Sequence, residues 1–512
     1  MCGFKNQLRS GVIISYLNLV ISSIIPFVYT PIMLSLLGQK EYGLYSLSHS
    51  AVAYLSLLSF GFGSTIIRYI AKYRAQEDKK AVQEAYGFFL ALYCVLAMLV
   101  LVGGFIISQN VDSIFKKGLS IEELDKMQIL VMIMALNSAL SFPVSVFSSM
   151  VTAYERYVYR KTVDMLATIG APLANLFALF LGYKSIGMAF AATFMQLLML
   201  PLYAGYCYKV LNIRPAFVRL SKSLIKELLG FSLFVFIGSI VDMLFWATDK
   251  VILGMLAGSV AVAIYNIGGT FNTMVMNLST SISGVLTPRI TGMVIKEATK
   301  EQLTELFIKV GRLQFIIIGI IVSGFTVFGR IFITLWVGES YLEAYWVAVL
   351  TMFPLCIPLI QNTGLSIVMA QNKHQFRSIV YLIIAILNVV STYCIIPYMG
   401  LIGAALCSCI SYLLGQGLIM NIYYYKVTGI NIPLFWKNIL SMAIVPSLML
   451  IVGLILNNRI NIHSWLVFLM GVVLYSVIYA LLMYRYILND YEKDIFRKPF
   501  IALCKLCMKH TK

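Results

Sequence analysis

Runs of about 20 apolar residues follow one another along almost the whole of this 512-residue chain, parted by short polar loops. A backbone in hydrocarbon must satisfy its own N–H and C=O groups, so such runs fold as helices that cross a bilayer. Fourteen are expected, at roughly 12–37, 43–66, 86–108, 127–150, 162–182, 186–208, 229–256, 260–286, 311–336, 345–370, 378–398, 401–423, 438–457 and 464–484. Hydrophobic residues make up 60% of the chain and charged ones 12%, which leaves little to fold outside the membrane. The fold class is therefore an all-α polytopic membrane protein. The first run is too long for the core of a signal peptide, and no small-residue cleavage site follows it.

Charge orients the chain. An even number of spans puts both termini on one side. Loops on that side, with the two tails, hold about 31 of the 39 Lys and Arg; opposite loops hold about 6. The bias makes both termini cytoplasmic. It also accounts for the net charge of +18 without a nucleic-acid partner. The basic tail from Arg485 interleaves Phe496, Phe500, Leu503 and Leu506 and is expected on the anionic inner leaflet, among membrane lipids. Cys504 and Cys507 form a lone C-x-x-C, half of what a zinc site needs, so no metal and no other cofactor is expected.

The seventh run breaks the apolar pattern. It carries Asp242, Trp246, Asp249 and Lys250. At 100° per residue, Asp242 and Asp249 fall about 20° apart and Lys250 about 80° from Asp242, so they share one face. Three ionisable groups on one membrane helix cost roughly 2.5–3.5 kcal/mol each, about 7–10 kcal/mol together. That cost is sustained where the face is wetted or meets partners inside a bundle. The first reading is the wall of a transport pathway; the second is a structural Asp249–Lys250 pair. Adjacent helical residues face one another poorly, so each is expected to have an outside partner.

The chain also echoes itself. Gly38 and Tyr45 recur as Gly258 and Tyr265, 220 residues on; Arg68 recurs as Arg289, Ala153 to Arg156 as Ala370 to Lys373, and Ile186 to Ala189 as Ile402 to Ala405. The echoes imply two pseudo-symmetric six-helix lobes and an addition. The expected division is 1–228 for the first lobe, 229–437 for the second, 438–484 for two further spans and 485–512 for a basic cytoplasmic tail. The loops at Gly38 and Gly258 are expected together at the external rim.

The 6+6+2 plan, Leu37-Gly38-Gln39-Lys40-Glu41-Tyr42-Gly43-Leu44-Tyr45-Ser46-Leu47 after span 1, Arg68-Tyr69-Ile70-Ala71 after span 2, and Asp249-Lys250-Val251-Ile252-Leu253-Gly254 before Tyr265 carry a resemblance. Over about residues 8–485 the chain resembles the Wzx-type polysaccharide flippases of the multidrug/oligosaccharidyl-lipid/polysaccharide exporter superfamily. The resemblance implies alternating access and an undecaprenyl-pyrophosphate-linked oligosaccharide as substrate, moved across a bacterial inner membrane for O-antigen or capsule assembly. It also implies a polymerase and chain-length proteins as partners. Such a substrate calls for cations at its phosphates, for which Lys250, Arg68, Arg289 and Arg330 are candidates. Membrane-end anchoring competes as the role of Arg68 and Arg289, and snorkelling outward from the end of span 9 as that of Arg330. Asp242 and Asp249 are candidates for coupling to H+ or Na+, since a carboxylate in a semi-dry cavity can exchange an ion with either side. Trp246, Asn266, Asn272, Tyr29 and Gln361 are candidates for glycan contact, although buried amides also bridge helices. Asn277, Asn362 and Tyr265 offer the same chemistry.

Two other classes stay open. An ion-coupled multidrug or metabolite antiporter of the same superfamily would favour an acidic cavity, against four candidate cations here. A membrane polysaccharide polymerase would need a catalytic constellation; four His are scattered and no catalytic motif or nucleotide-binding GxxxxGK[ST] is present, so a transporter rather than an enzyme is expected.

Overall fold

The structure, a computed structural model, describes residues 2–59, 61–217, 236, 238–241, 243–245, 247–371, 373–457, 464–495 and 497. Among the described residues the chain is helical throughout, with no strand. The first helices are α1 (Cys2–Leu37), α2 (Gln39–Ala53) running into a 3₁₀ turn, α3 (Phe62–Ala75), α4 (Lys79–Gln109), a short α5 (Val111–Phe115), α6 (Ile121–Ala153), α7 (Tyr157–Phe180) and α8 (Lys184–Lys209). After residues 218–235 come α9 (Thr248–Leu256), α10 (Ser259–Ile295), α11 (Lys300–Val337), α12 (Ala344–Ile360), α13 (Asn362–Ala370) and α14 (His374–Tyr412). The last are α15 (Met420–Tyr423), flanked by π-helical turns, α16 (Ile432–Asn457) and α17 (Trp465–Leu482).

Local chemistry sets the helix starts. Asp78 caps α4 by accepting from the Ala81 N–H. Ser120 with Glu123 and Thr299 with Gln302 form capping boxes that open α6 and α11. Outward-facing side chains such as Val95, Met98, Val102 and Phe105 on α4, or Leu466, Met470 and Leu474 on α17, are large, apolar and exposed. Hydrocarbon is the solvent that suits them, and the protein is a multi-pass membrane protein.

Among the described residues ten helical segments are long and apolar enough to cross a membrane, or eleven when α12 and α13, bent by 44° at Gln361, are one span. The expected fourteen are not reached by this measure among the described residues, for physical reasons. Expected spans 11 and 12 merge into one helical segment, Gln375–Thr428, interrupted by Gly400 at φ 55° and ψ −139°. Much of the expected seventh span, with the 228/229 lobe boundary, lies outside the described residues. α10 carries too many Asn, Ser and Thr residues to count by composition.

The chain divides into two compact units, residues 1–266 with 385–404, and residues 267–384 with 405–512. In the first, Tyr86, Phe89 and Tyr93 of α4 pack among Phe142, Phe147 and Met150 of α6 and Tyr203 and Cys207 of α8. In the second, Ile316 and Val327 of α11 pack with Met442, Val445 and Met449 of α16 and Tyr475 and Tyr479 of α17. A bidentate ion pair ties α11, three turns in from its start, to the chain after α17: Arg312 donates to both carboxylate oxygens of buried Glu492, at 2.6 and 2.8 Å, and to the Ile487 carbonyl.

Left-handed backbone turns recur at the spacing of the sequence echoes. Gly38 and Gly258 have φ of 79° and 91°, Glu77 and Glu297 of 57° and 56°, and Asn212 and Gly429 of 52° and 78°. A positive φ at Glu is uncommon. Its repetition 220 residues later is a trace of duplicated chain geometry, beyond the matched residue types.

Candidate functional site

The site is built on the helical hairpin α9–α10. Ala257 and Gly258 reverse the chain, the latter in a conformation that only glycine adopts freely. Residues at matched distances from the turn then face each other. Asp249 meets Tyr265, whose hydroxyl donates to Oδ2 at 2.6 Å. Lys250 meets Asn266, whose Oδ1 accepts from Nζ at 2.6 Å. The two charges therefore take different hydrogen-bond partners, as expected for neighbours on a helix.

Each pair reaches further within the first unit. Asn266 donates through Nδ2 to the Tyr42 hydroxyl on α2, at 2.6 Å. Asp249 also accepts from Thr392 of α14, at 3.5 Å. Thr248, one residue back, shares a hydrogen bond with Tyr54. Asp249 is 1% exposed, and Lys250 is half-buried. A buried carboxylate is sustained by such donors, each worth about 1.5–3 kcal/mol when the partner is charged. Lys250 has spent one of three N–H donors, and on a neutral amide. Its charge can still attract an anion.

Above the hairpin turn the first unit is tightly drawn together. A Cβ on Gly43 of α2 would lie 1.9 Å from the Ser259 carbonyl oxygen, so only glycine permits this approach. Ser259 donates to Glu123 at 2.5 Å. Lys126 bridges Glu41 and Glu122, at 2.8 and 3.0 Å, and Glu41 also accepts from Ser185. The start of α2, after Gly38, thus packs on the start of α10, after Gly258.

The remaining candidates are dispersed. Asn272 is buried and donates to Thr351 on α12. Gln361, also buried, donates to Asn421, which in turn accepts from Trp436. Both bind helix to helix within the second unit. Asn362 donates to Ser283 there, and Asn277 is exposed. Tyr29 accepts from Asn175 of α7. Arg68 on α3 and Arg330 on α11 are exposed. Asp242, Trp246 and the side chain of Arg289 lie outside the described residues. Among the described residues no cluster of three His, Cys, Asp or Glu could hold a metal.

Sequence reasoning missed Tyr42, Tyr54 and Thr392 as partners of the site. Tyr42 stood in the motif after span 1, where its neighbour Tyr45 drew attention instead. Thr392 lies 143 residues from Asp249 and carries no local signal. The second unit also holds an apolar groove of about 800 Å³, lined by Phe328 of α11, Met449, Val452 and Leu456 of α16, and Met470 and Leu474 of α17.

A family described as "Polysaccharide biosynthesis protein" matches residues 8–294, which include the whole hairpin site. An uncharacterized membrane protein of Methanocaldococcus jannaschii is 22% identical over 423 residues, 80% of this chain and 82% of its own. Among solved structures, the lipid II flippase MurJ in an inward closed conformation superposes with a TM-score of 0.72 at 14% identity, covering 93% of this chain and 98% of MurJ. A MATE family multidrug resistance transporter of the MOP superfamily gives 0.62 at 14% identity, covering 82% and 99%. These likenesses give the chain the fold shared by MurJ and the MATE transporters. The family match covers more than half of the sequence, and the chain belongs to the polysaccharide biosynthesis protein family.

Proposed function

We propose that the protein is a flippase for lipid-linked oligosaccharide repeat units, carried on undecaprenyl pyrophosphate, in the assembly of O-antigen or capsular polysaccharide. The observation that carries this reading is Lys250, a half-buried ammonium held by Asn266, itself anchored on the Tyr42 hydroxyl, inside a membrane protein of a polysaccharide biosynthesis family. A cation in that setting suits a pyrophosphate. Exposed Arg68 would meet the head group at the cytoplasmic face, and Arg289 and Arg330 are further candidates. Asp249, buried among hydroxyl donors, is the candidate for coupling to H+ or Na+, with Asp242 as its neighbour on the expected helix face. Trp246 and Tyr29 stay candidates for the glycan.

The proposal places the chain in a bacterial inner membrane with both termini cytoplasmic, acting by alternating access beside a polymerase and chain-length proteins. It binds and moves its substrate without a catalytic step. The test is surface polysaccharide in cells carrying Lys250→Met or Asp249→Asn, with membrane insertion checked by immunoblot. Loss of polysaccharide with normal insertion is expected. Normal polysaccharide in both variants removes the site assignment; intact polysaccharide with altered drug resistance favours an antiporter.

A further inference from the structure

Within the second unit, α10 and α12–α13 run side by side in a parallel register marked by three polar contacts. Asn272 meets Thr351, the Ser279 hydroxyl donates to the Leu359 carbonyl at 3.1 Å, and Asn362 donates to Ser283 at 3.0 Å. From α11, Gln314 donates to both the carbonyl and the hydroxyl oxygen of Ser279, at 3.2 Å each. The seam is sealed from the surface: Asn272, Gln314, Gln361 and Thr363 are exposed by 3, 0, 2 and 0%.

One pattern runs through it. Each of the three amides has spent its nitrogen on a protein acceptor, Gln361 on Asn421. Each has a carbonyl oxygen, Asn272 Oδ1, Gln314 Oε1 and Gln361 Oε1, with no hydrogen-bond partner among the described residues, and the Thr363 hydroxyl is in the same position. A buried polar atom left so costs about 1–3 kcal/mol, and four of them, Asn272 and Gln314 along the seam and Gln361 and Thr363 at the bend of α12–α13, would cost a large part of a protein's net stability. The backbone adds to the demand. Pro354 and Pro358 remove two N–H donors just before the 44° break at Gln361. A broken helix at membrane depth persists where protein or water satisfies it.

We propose that this seam binds a string of internal water molecules. The ligand must present hydrogen-bond donors, because the orphaned atoms are oxygens. It must also be extended. From Thr351 to Thr363 is twelve residues, about 18 Å at 1.5 Å per residue, far beyond the 2.3–2.6 Å ligand distances around a single cation. Two or more waters, each with two to four polar partners, meet both demands. The string supplies the hydrogen bonds that the break gives up, so it solvates the bend of α12–α13 from within the second unit. The inference is independent of the substrate proposed above.

Hydroxyl-radical footprinting of the wild-type protein in nanodiscs tests it, since radicals form at bound water as well as in bulk. Leu359, 4% exposed and on the seam, should be oxidised at least tenfold faster than Ile333, which is 0% exposed on α11. Equal, slow oxidation at Leu359 and Ile333 overturns the proposal.

Discussion

The two compact units bury polar groups in different ways. The first buries charge: Asp249 and Lys250 sit on one hairpin and are held by hydroxyls and an amide. The second buries mainly neutral amides, which tie helix to helix, and, among the described residues, one buried ion pair, Arg312 with Glu492. A carboxylate and guanidinium in bidentate contact cancel each other and serve structure. An ammonium whose hydrogen-bond partner is a neutral amide retains a field that a ligand can feel. The difference teaches that burial of charge alone does not set the candidate site apart; the nature of the partner does.

Substitutions can break that distinction or sharpen it. The largest effect on stability is expected from Glu492→Ala, which strands a buried guanidinium at a cost of about 3–5 kcal/mol. A thermal melt in detergent reads it, and Arg312→Glu with Glu492→Arg should recover part of the loss. Lys250→Met should lower polysaccharide transport on the order of 100-fold, about 2.7 kcal/mol, while its melt shifts less than that of Glu492→Ala. A melt collapse equal to that of Glu492→Ala would make Lys250 structural and erase the contrast. Asn421→Leu leaves the Gln361 amide and the Trp436 indole without their acceptor and should cost about 2–3 kcal/mol in stability, with transport following the folded fraction. The smallest effect is expected from Tyr42→Phe. It removes the acceptor of Asn266 but keeps the ring, at about 1 kcal/mol, and should slow transport a few-fold. No change in transport would detach Tyr42 from the site.

Much of this was legible in one dimension. Apolar run length dictates helices because hydrocarbon offers no hydrogen bonds, and a charge among apolar residues is too costly to be incidental. Asp249 and Lys250 were therefore visible, and so was their need for separate partners, since helical neighbours diverge. Gly38 and Gly258 announced their turns because few residues tolerate a positive φ. Asn272 and Gln361 were read ambiguously, because an amide donates equally well to a sugar and to a neighbouring helix. Partner choice is what only the tertiary structure decided. Tyr42, Thr392, Asn421 and Glu492 meet their partners across 60 to 224 residues. Such pairings depend on which helix faces pack together, and packing is cooperative over the whole bundle rather than encoded near either residue.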